Sequence, residues 1–235
     1  MPASQSVRSN EPTPMNIDQA RFNMVEQQIR PWNVLDPAVL DLLFEVKRED
    51  FVPEAYRGLA FMDLEIPLGK GEVMMAPRVE ARLVQEVNPK STDRVLEIGT
   101  GSGYLTALLS RRAAEVLSIE LYDEFWHRAA KNLERAGIRN IHLKVGDAAR
   151  NADAFVNASD KFDVIVLTGS VPVMPDAYLA RLAPGGRAVA IVGEAPVMKA
   201  MLYTHVAEGQ YRQTELFETV LPPLVNAAPA SHFEF

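Results

Sequence analysis

The segment from Val95 to Thr106, V-L-E-I-G-T-G-S-G-Y-L-T, constrains this chain more than any other stretch. Arg94 to Ile98 reads as a buried strand, Gly99, Gly101 and Gly103 punctuate the turn after it, and a helix reads from Tyr104 to Arg111. Glycines at such a turn let the backbone bend tightly and approach a ligand with no Cβ in the way. Ligands of open α/β sheets bind beyond the carboxyl ends of the strands, which is where this turn falls. A dinucleotide fingerprint requires G-x-G-x-x-G. Counted from Gly99 the sixth residue is Tyr104, and counted from Gly101 it is Thr106, so the spacing does not suit a pyrophosphate.

The same rhythm continues downstream. Val116 to Ile119, Ile141 to Val145, Phe162 to Leu167 and Gly186 to Val192 read as strands, with helices over Tyr122 to Ala136 and Pro175 to Leu182. Strands alternating with helices imply a parallel sheet covered on both faces. Ala200 to Val206 and Tyr211 to Val220 follow with only Glu208-Gly209-Gln210 between them, and read as an antiparallel pair at one edge. Ahead of the sheet, one helix is expected over Asn16 to Arg30, stopped by Pro31. A second starts at the N-cap Asp36 with Pro37 behind it and runs to about Val46. The expected fold is therefore α/β: a doubly wound, mostly parallel seven-stranded sheet with an antiparallel C-terminal strand pair and an N-terminal helical layer. Residues 1–14 hold little to bury and read as a disordered tail, with Met15 an alternative start. Residues 15–235 read as one domain, with the helical layer over 15–90, a ligand-binding core over 91–225 and a surface tail over 226–235.

Composition narrows the chemistry. The chain has no cysteine, which excludes disulfides, zinc-thiolate centres, iron–sulfur clusters and cysteine nucleophiles. His127, His142, His205 and His232 stand at no ligand-pair spacing, and no metal site is expected. Twenty-four basic residues against 31 acidic ones leave a net charge of -7, a poor field for a nucleic-acid partner. No apolar run approaches the roughly 20 residues that a membrane helix needs. The N-terminus lacks the apolar stretch of a secretory signal, so the expected localisation is cytoplasmic.

Three carboxylates stand at successive strand ends. Glu97 lies two residues ahead of Gly99, Glu120 closes L-S-I-E, and Asp147 follows L-K-V-G. Glu97 is placed to face a cationic amino acid group, Glu120 to accept both hydroxyls of a ribose, and Asp147 to reach an adenine amino group. A flat G-x-G-x-G loop beneath a nucleoside without phosphate completes the requirement of S-adenosylmethionine, which carries an ammonium and a sulfonium. Each acid alone has a plainer use, as a solvated group or a helix cap. The glycines alone could serve a tight turn that packs helix on sheet.

With those residues in view, the chain resembles the Class I S-adenosylmethionine-dependent methyltransferases, and more closely the protein-L-isoaspartate O-methyltransferase family. The likeness runs over about Met15 to Leu224. It rests on V-L-E-I-G-T-G-S-G-Y-L-T-A-L-L from Val95, F-V-P at Phe51, I-P-L-G-K-G-E from Ile66 to Glu72, and L-A-P-G-G-R-A-V-A-I-V-G from Leu182 to Gly193. It implies that Gly99, Thr100, Gly101, Ser102 and Gly103 hold the methionine end of the cofactor. Glu120 would then hold the ribose, and Gly146, Asp147 and Ala148 the adenine edge, with Leu121 a further cofactor contact. It also implies methyl transfer to the isoaspartyl carboxylate of damaged proteins.

The chain departs from the family at the acceptor side. A Q-T-I-S-x-P-like stretch becomes Glu72-Val73-Met74-Met75-Ala76-Pro77, so Met75 stands where the family has Ser and Val73 where it has Thr. A thioether is a weak acceptor and donates nothing. The V-P-L-T-like segment becomes Leu221-Pro222-Pro223-Leu224-Val225. These changes predict that cofactor affinity is kept and isoaspartyl methylation weakened, unless a backbone N–H of the same turn takes over. Two alternatives stay open: transfer to a small-molecule acceptor, or cofactor binding without turnover. A carboxylate acceptor is already ionised and needs no general base, so no catalytic side chain is assigned. Thr168, in V-L-T-G-S, is the polar group expected nearest the acceptor, although it equally suits a turn cap.

Overall fold

The computed structural model describes residues 16–157 and 159–227. The Asn16 side chain accepts a hydrogen bond from the Gln19 N–H at 3.1 Å and opens α1 (Ile17–Asn23). The helix expected to reach Arg30 instead widens into a π turn over Met24–Ile29 and tightens into a 3-10 turn at Arg30–Trp32. Met24, Val25 and Ile29 are all buried in the π turn, so packing overrides regular helical hydrogen bonding there. Further on, α2 (Pro37–Glu45) begins at its expected cap, with the Asp36 carboxylate accepting from the Ala38 N–H at 2.9 Å.

A hairpin without a signal in the residue pattern follows. Strands β1 (Ile66–Gly69) and β2 (Glu72–Met74) pair antiparallel around Lys70, whose φ of 53° is left-handed. The chain then enters α3 (Pro77–Val87), which packs on α2 and on the π turn. The N-terminal layer is thus helical with one small hairpin set into it.

The sheet itself is built from β3 (Arg94–Ile98), β4 (Glu115–Glu120), β5 (Ile141–Val145), β6 (Phe162–Val171), β7 (Leu182–Glu194), β8 (Val197–Ala207) and β9 (Gln210–Glu218). Its order is β5-β4-β3-β6-β7-β8-β9. Strands β3 to β7 run parallel, and β8 and β9 return antiparallel, as the missing helix between them requires. Helices α4 (Tyr104–Ser110), α5 (Asp123–Arg135) and α6 (Asp176–Leu179) connect the parallel strands. The last is a single turn, because Leu182 already pairs with Phe162 and draws the chain into β7. From β3 the chain winds outward through β4 and β5, then returns to lay β6 on the other side of β3. The crevice at that reversal, beyond the carboxyl ends of β3 and β6, is where such sheets bind ligands.

Alternation along the strands divides the core between the two faces. Val95, Val116, Val164 and Val189 pack with α3, α4, α5 and the N-terminal layer. Leu96, Ile98, Ile165, Leu167 and Ala188 pack on the opposite face with Tyr178 of α6. Among the described residues no helix is long and apolar enough to cross a membrane, and no group of three His, Asp or Glu could hold a metal ion. The expected tail over 1–14 and the alternative start at Met15 lie outside the described residues. Of the tail expected from 226, the described residues Asn226 and Ala227 fold back on the sheet end.

The N-terminal layer is held together by charge. Arg48 is wholly buried; it pairs with Glu80 of α3 and donates to the Ala60 carbonyl at 3.0 Å and the Met75 carbonyl at 2.6 Å. Its guanidinium lies 5.1 Å from the centre of the Tyr104 ring. Removing one partner of a buried pair leaves the other charge stranded, at a cost of about 3–5 kcal/mol. Arg48→Met is expected to destabilise the fold by that amount, read from urea unfolding.

Candidate active site

The glycine turn is held in place by its neighbours on both sides. The Gly99 N–H donates to the Ile119 carbonyl of β4 at 2.8 Å. From β6, the Thr168 hydroxyl is shared between the carbonyls of Ile98 at 2.9 Å and Gly99 at 2.7 Å. A Cβ on Gly99, whose φ is +95°, would lie 2.2 Å from the Thr168 Oγ1, so only glycine allows this approach. Gly103 serves packing instead, since its missing Cβ makes room for Leu133 and Ala129 of α5.

Glu120 ends β4 beneath the same turn. Its Oε2 accepts from the backbone N–H groups of Thr100 at 3.0 Å and Gly101 at 2.8 Å, and its Oε1 from the Tyr122 N–H at 2.9 Å. Each carboxylate oxygen has two lone pairs, so Oε1 keeps capacity for a further donor. At the end of β5, Gly146 has φ +153°, and a Cβ there would fall 2.0 Å from the Phe155 ring. Asp147 follows, accepting from the Arg150 N–H at 3.0 Å and the Asn226 amide at 2.6 Å. The Ala148 carbonyl accepts from the Tyr178 hydroxyl at 2.7 Å.

Glu120, Gly146, Asp147 and Ala148 line a cleft that also takes in Gly99, Gly101, Leu121 and Thr168. Leu68 and Glu72 from the hairpin, Leu221, Pro222, Leu224 and Val225 from the C-terminal segment, and Tyr122 and Phe125 at the start of α5, the last two without a sequence signal, also line it. That segment is laid against β6 by bonds from the Ser170 N–H to the Pro222 carbonyl at 3.0 Å and from the Leu224 N–H to the Ser170 carbonyl at 2.9 Å. Burial and the neighbouring Glu120 charge raise the Glu72 carboxyl above its ordinary value.

A second cavity of about 310 Å³ adjoins the cleft, sharing Leu68, Val73, Gly99, Gly101 and Thr168 with it. Thr100, Ser102, Met74, Met75 and Glu80 also line it. Met75 therefore does face a cavity beside the glycine turn.

Glu97 faces elsewhere. Strand alternation turns it toward α4, where it is wholly buried; its Oε2 accepts from the Thr106 hydroxyl at 2.5 Å and the Ser118 hydroxyl at 2.6 Å. Thr100 in turn donates to Ser118, at 2.6 Å. Glu97 lines neither cavity, and it meets the turn through two hydroxyls rather than facing a cationic ligand. Its second oxygen has no hydrogen-bond partner.

Residues 19–228 match the protein-L-isoaspartate(D-aspartate) O-methyltransferase family. The chain belongs to this family. It is 38% identical over 206 residues to protein-L-isoaspartate O-methyltransferase 1 of Anaeromyxobacter sp. (strain Fw109-5), covering 87% of this chain and 95% of that one. It is 39% identical over 173 residues to the protein-L-isoaspartate O-methyltransferase of Methanoculleus marisnigri, covering 74% and 77%. Its fold is shared with the crystal structure of a protein described as a protein-L-isoaspartate O-methyltransferase from Plasmodium falciparum, in complex with S-adenosyl-L-homocysteine. The TM-score is 0.74 at 18% identity, covering 87% of this chain and 97% of that one. The fold thus places the glycine turn, Glu120 and Asp147 along a single cleft, with the apolar side chains of Val73, Met74 and Met75 in the cavity beside it.

Burial pushes the Glu97 carboxyl up to about 8, against the pull of the Ser118 and Thr106 hydroxyls. The folded protein therefore holds a proton that an unfolded carboxyl releases near its ordinary 4.5. This contribution to stability is full below the unfolded value and is lost as the pH rises toward 8. Glu97→Gln, neutral throughout, is expected to match the wild type near pH 5 and to exceed its stability near pH 8 on the order of a few kcal/mol. Urea unfolding at both pH values measures the difference.

Proposed function

We propose that this protein transfers the methyl group of S-adenosylmethionine to the free carboxylate of isoaspartyl residues in proteins. The observation that carries the reading is the Glu120 carboxylate, clamped by three backbone N–H groups in the cleft with a lone pair of Oε1 left for a ribose hydroxyl. The residues present fit the cofactor. Gly99 and Gly101 leave no side chain between the turn and a flat nucleoside, Asp147 offers acceptor oxygens to an adenine amino group, and Glu72 adds negative charge to a cleft that takes a cationic ligand. When bound, S-adenosylmethionine supplies the electrophilic methyl group and the sulfide leaving group.

The protein's part is placement. A carboxylate oxygen of the acceptor attacks the methyl carbon in line with the carbon–sulfur bond, whose electron pair stays on sulfur. No proton moves. The rate then depends on holding the acceptor oxygen in line, a contribution that reaches about 7–11 kcal/mol in well-oriented intramolecular reactions. The second cavity opens beside the glycine turn and is the place for the acceptor, with Thr168 at the border between the two. The Thr168 proton is engaged by Ile98 and Gly99, so this hydroxyl offers an acceptor lone pair and sets the shape of the turn.

Glu120→Ala is expected to weaken S-adenosylmethionine binding by about 1.5–3 kcal/mol, the range for hydrogen bonds to a charged group. Titration calorimetry measures this, with S-adenosylhomocysteine binding similarly and NAD giving no heat. Methylation of an isoaspartyl peptide, with the matching aspartyl peptide inert, tests the reaction. Met75→Ser is expected to raise kcat/KM on that peptide while leaving cofactor affinity unchanged, since a positioned donor can be worth roughly a hundredfold in rate. Equal turnover of the two proteins would make the Met75 side chain irrelevant to the acceptor.

A further inference from the structure

Glu80 has no counterpart among the residues that a cofactor site or a plain core would need. It sits in the first turn of α3, almost wholly buried, and it lines the second cavity together with Met75, Thr100 and Ser102. One of its oxygens, Oε2, is taken by Arg48. The other takes no hydrogen bond among the described residues, yet it belongs to a carboxyl group on the cavity wall. Val73 and Met75 line the same cavity with apolar side chains. Of its hydroxyls, Thr100 is engaged with Ser118, Thr168 donates to the Ile98 and Gly99 carbonyls, and Ser102 accepts from the Tyr104 N–H.

We propose that Glu80 recognises the acceptor carboxylate, its free oxygen carrying a proton and donating a hydrogen bond to one oxygen of the isoaspartyl group. This rests on the isoaspartyl reading above and names a donor for its acceptor carboxylate. Two carboxylates in contact cannot both stay ionised, so the pair shares one proton. Arg48 makes the arrangement neutral, because its guanidinium balances the single negative charge left on the carboxylate pair. The acceptor's second oxygen remains free to attack the methyl group. Once the ester forms, the acceptor has lost its charge and the charge-assisted bond weakens, which favours release. The proton then returns to solvent as Glu80 re-ionises.

The surroundings suit a carboxyl that changes state near neutrality. Burial pushes the Glu80 carboxyl up to about 7, against the opposing pull of Arg48. Of the other groups packed around it, Tyr104 of α4 is buried and held neutral, and Glu97 of β3 is itself raised to about 8. Glu49, beside Arg48, is paired with Arg21 of α1. On α3 itself, Arg78 pairs with Asp63 and Arg82 with Glu86. Arg48 is therefore the cation that faces Glu80 directly.

The test uses the full chain with S-adenosylmethionine and an isoaspartyl peptide between about pH 6 and pH 9. If a protonated Glu80 is required, kcat/KM falls about tenfold per pH unit above its titration point. Glu80→Gln keeps a carbonyl for Arg48 and a permanent N–H for the cavity, and it is expected to abolish that fall. Calorimetry of peptide binding to the S-adenosylhomocysteine complex, in two buffers of different ionisation enthalpy, reads the proton directly on the wild-type protein. Uptake should approach one proton per peptide as the pH rises past neutrality. This second readout stands even if Glu80→Gln fails to fold. Methyl transfer with no proton uptake, or with the same pH fall in wild type and Glu80→Gln, overturns the role of Glu80 alone. Neither transfer nor peptide binding at any pH overturns the isoaspartyl reading, and this proposal with it.

Discussion

The structure turns on one carboxylate. Glu120 gathers the backbone N–H groups of Thr100, Gly101 and Tyr122, and so joins the end of β4 to the turn after β3 and to the start of α5. Hydrogen bonds from neutral donors to a charged acceptor are the strong ones, and here three of them fix a loop with no regular structure of its own. Thr168 closes the other side by holding the Ile98 and Gly99 carbonyls. Between these two clamps the glycine turn cannot drift, and the cleft keeps its shape before any ligand arrives.

Burying charge is costly, and this chain does it twice in the N-terminal layer, with Arg21 against Glu49 and Arg48 against Glu80. Such pairs are poor sources of net stability compared with apolar side chains of the same volume. Their value here is geometric. Arg48 reaches the Ala60 and Met75 carbonyls as well as Glu80, and so holds the turn after the hairpin against α3. That turn forms the wall of the second cavity. The N-terminal layer is thus part of the site's framework as well as a cover over the sheet.

The cleft is lined by Gly99, Gly101, Glu120 and Asp147, whereas the second cavity adds the apolar Met74 and Met75 and the buried carboxyl of Glu80. Two adjoining cavities lined so differently can take chemically different groups on one fold.

The sequence by itself determined the parallel sheet, its antiparallel end and the turn at Gly99, because each depends on local periodicity and on backbone conformations open chiefly to glycine. It equally marked Glu120 and Asp147, since residues at or just beyond a strand's carboxyl end lie at the crevice where such sheets bind ligands. Tertiary structure decided the rest. Glu97 lies in the same motif, but strand alternation and the packing of α4 turned it inward to Thr106 and Ser118. The π turn over Met24–Ile29 replaced a regular helix because three apolar side chains had to be buried together. Glu80, Asn226 and the Leu221–Val225 segment reach the site from positions far apart in the chain, brought there by the docking of α3 and by the return of the C-terminal segment along β6. No periodicity encodes such a meeting, because it is set by packing between elements rather than within them.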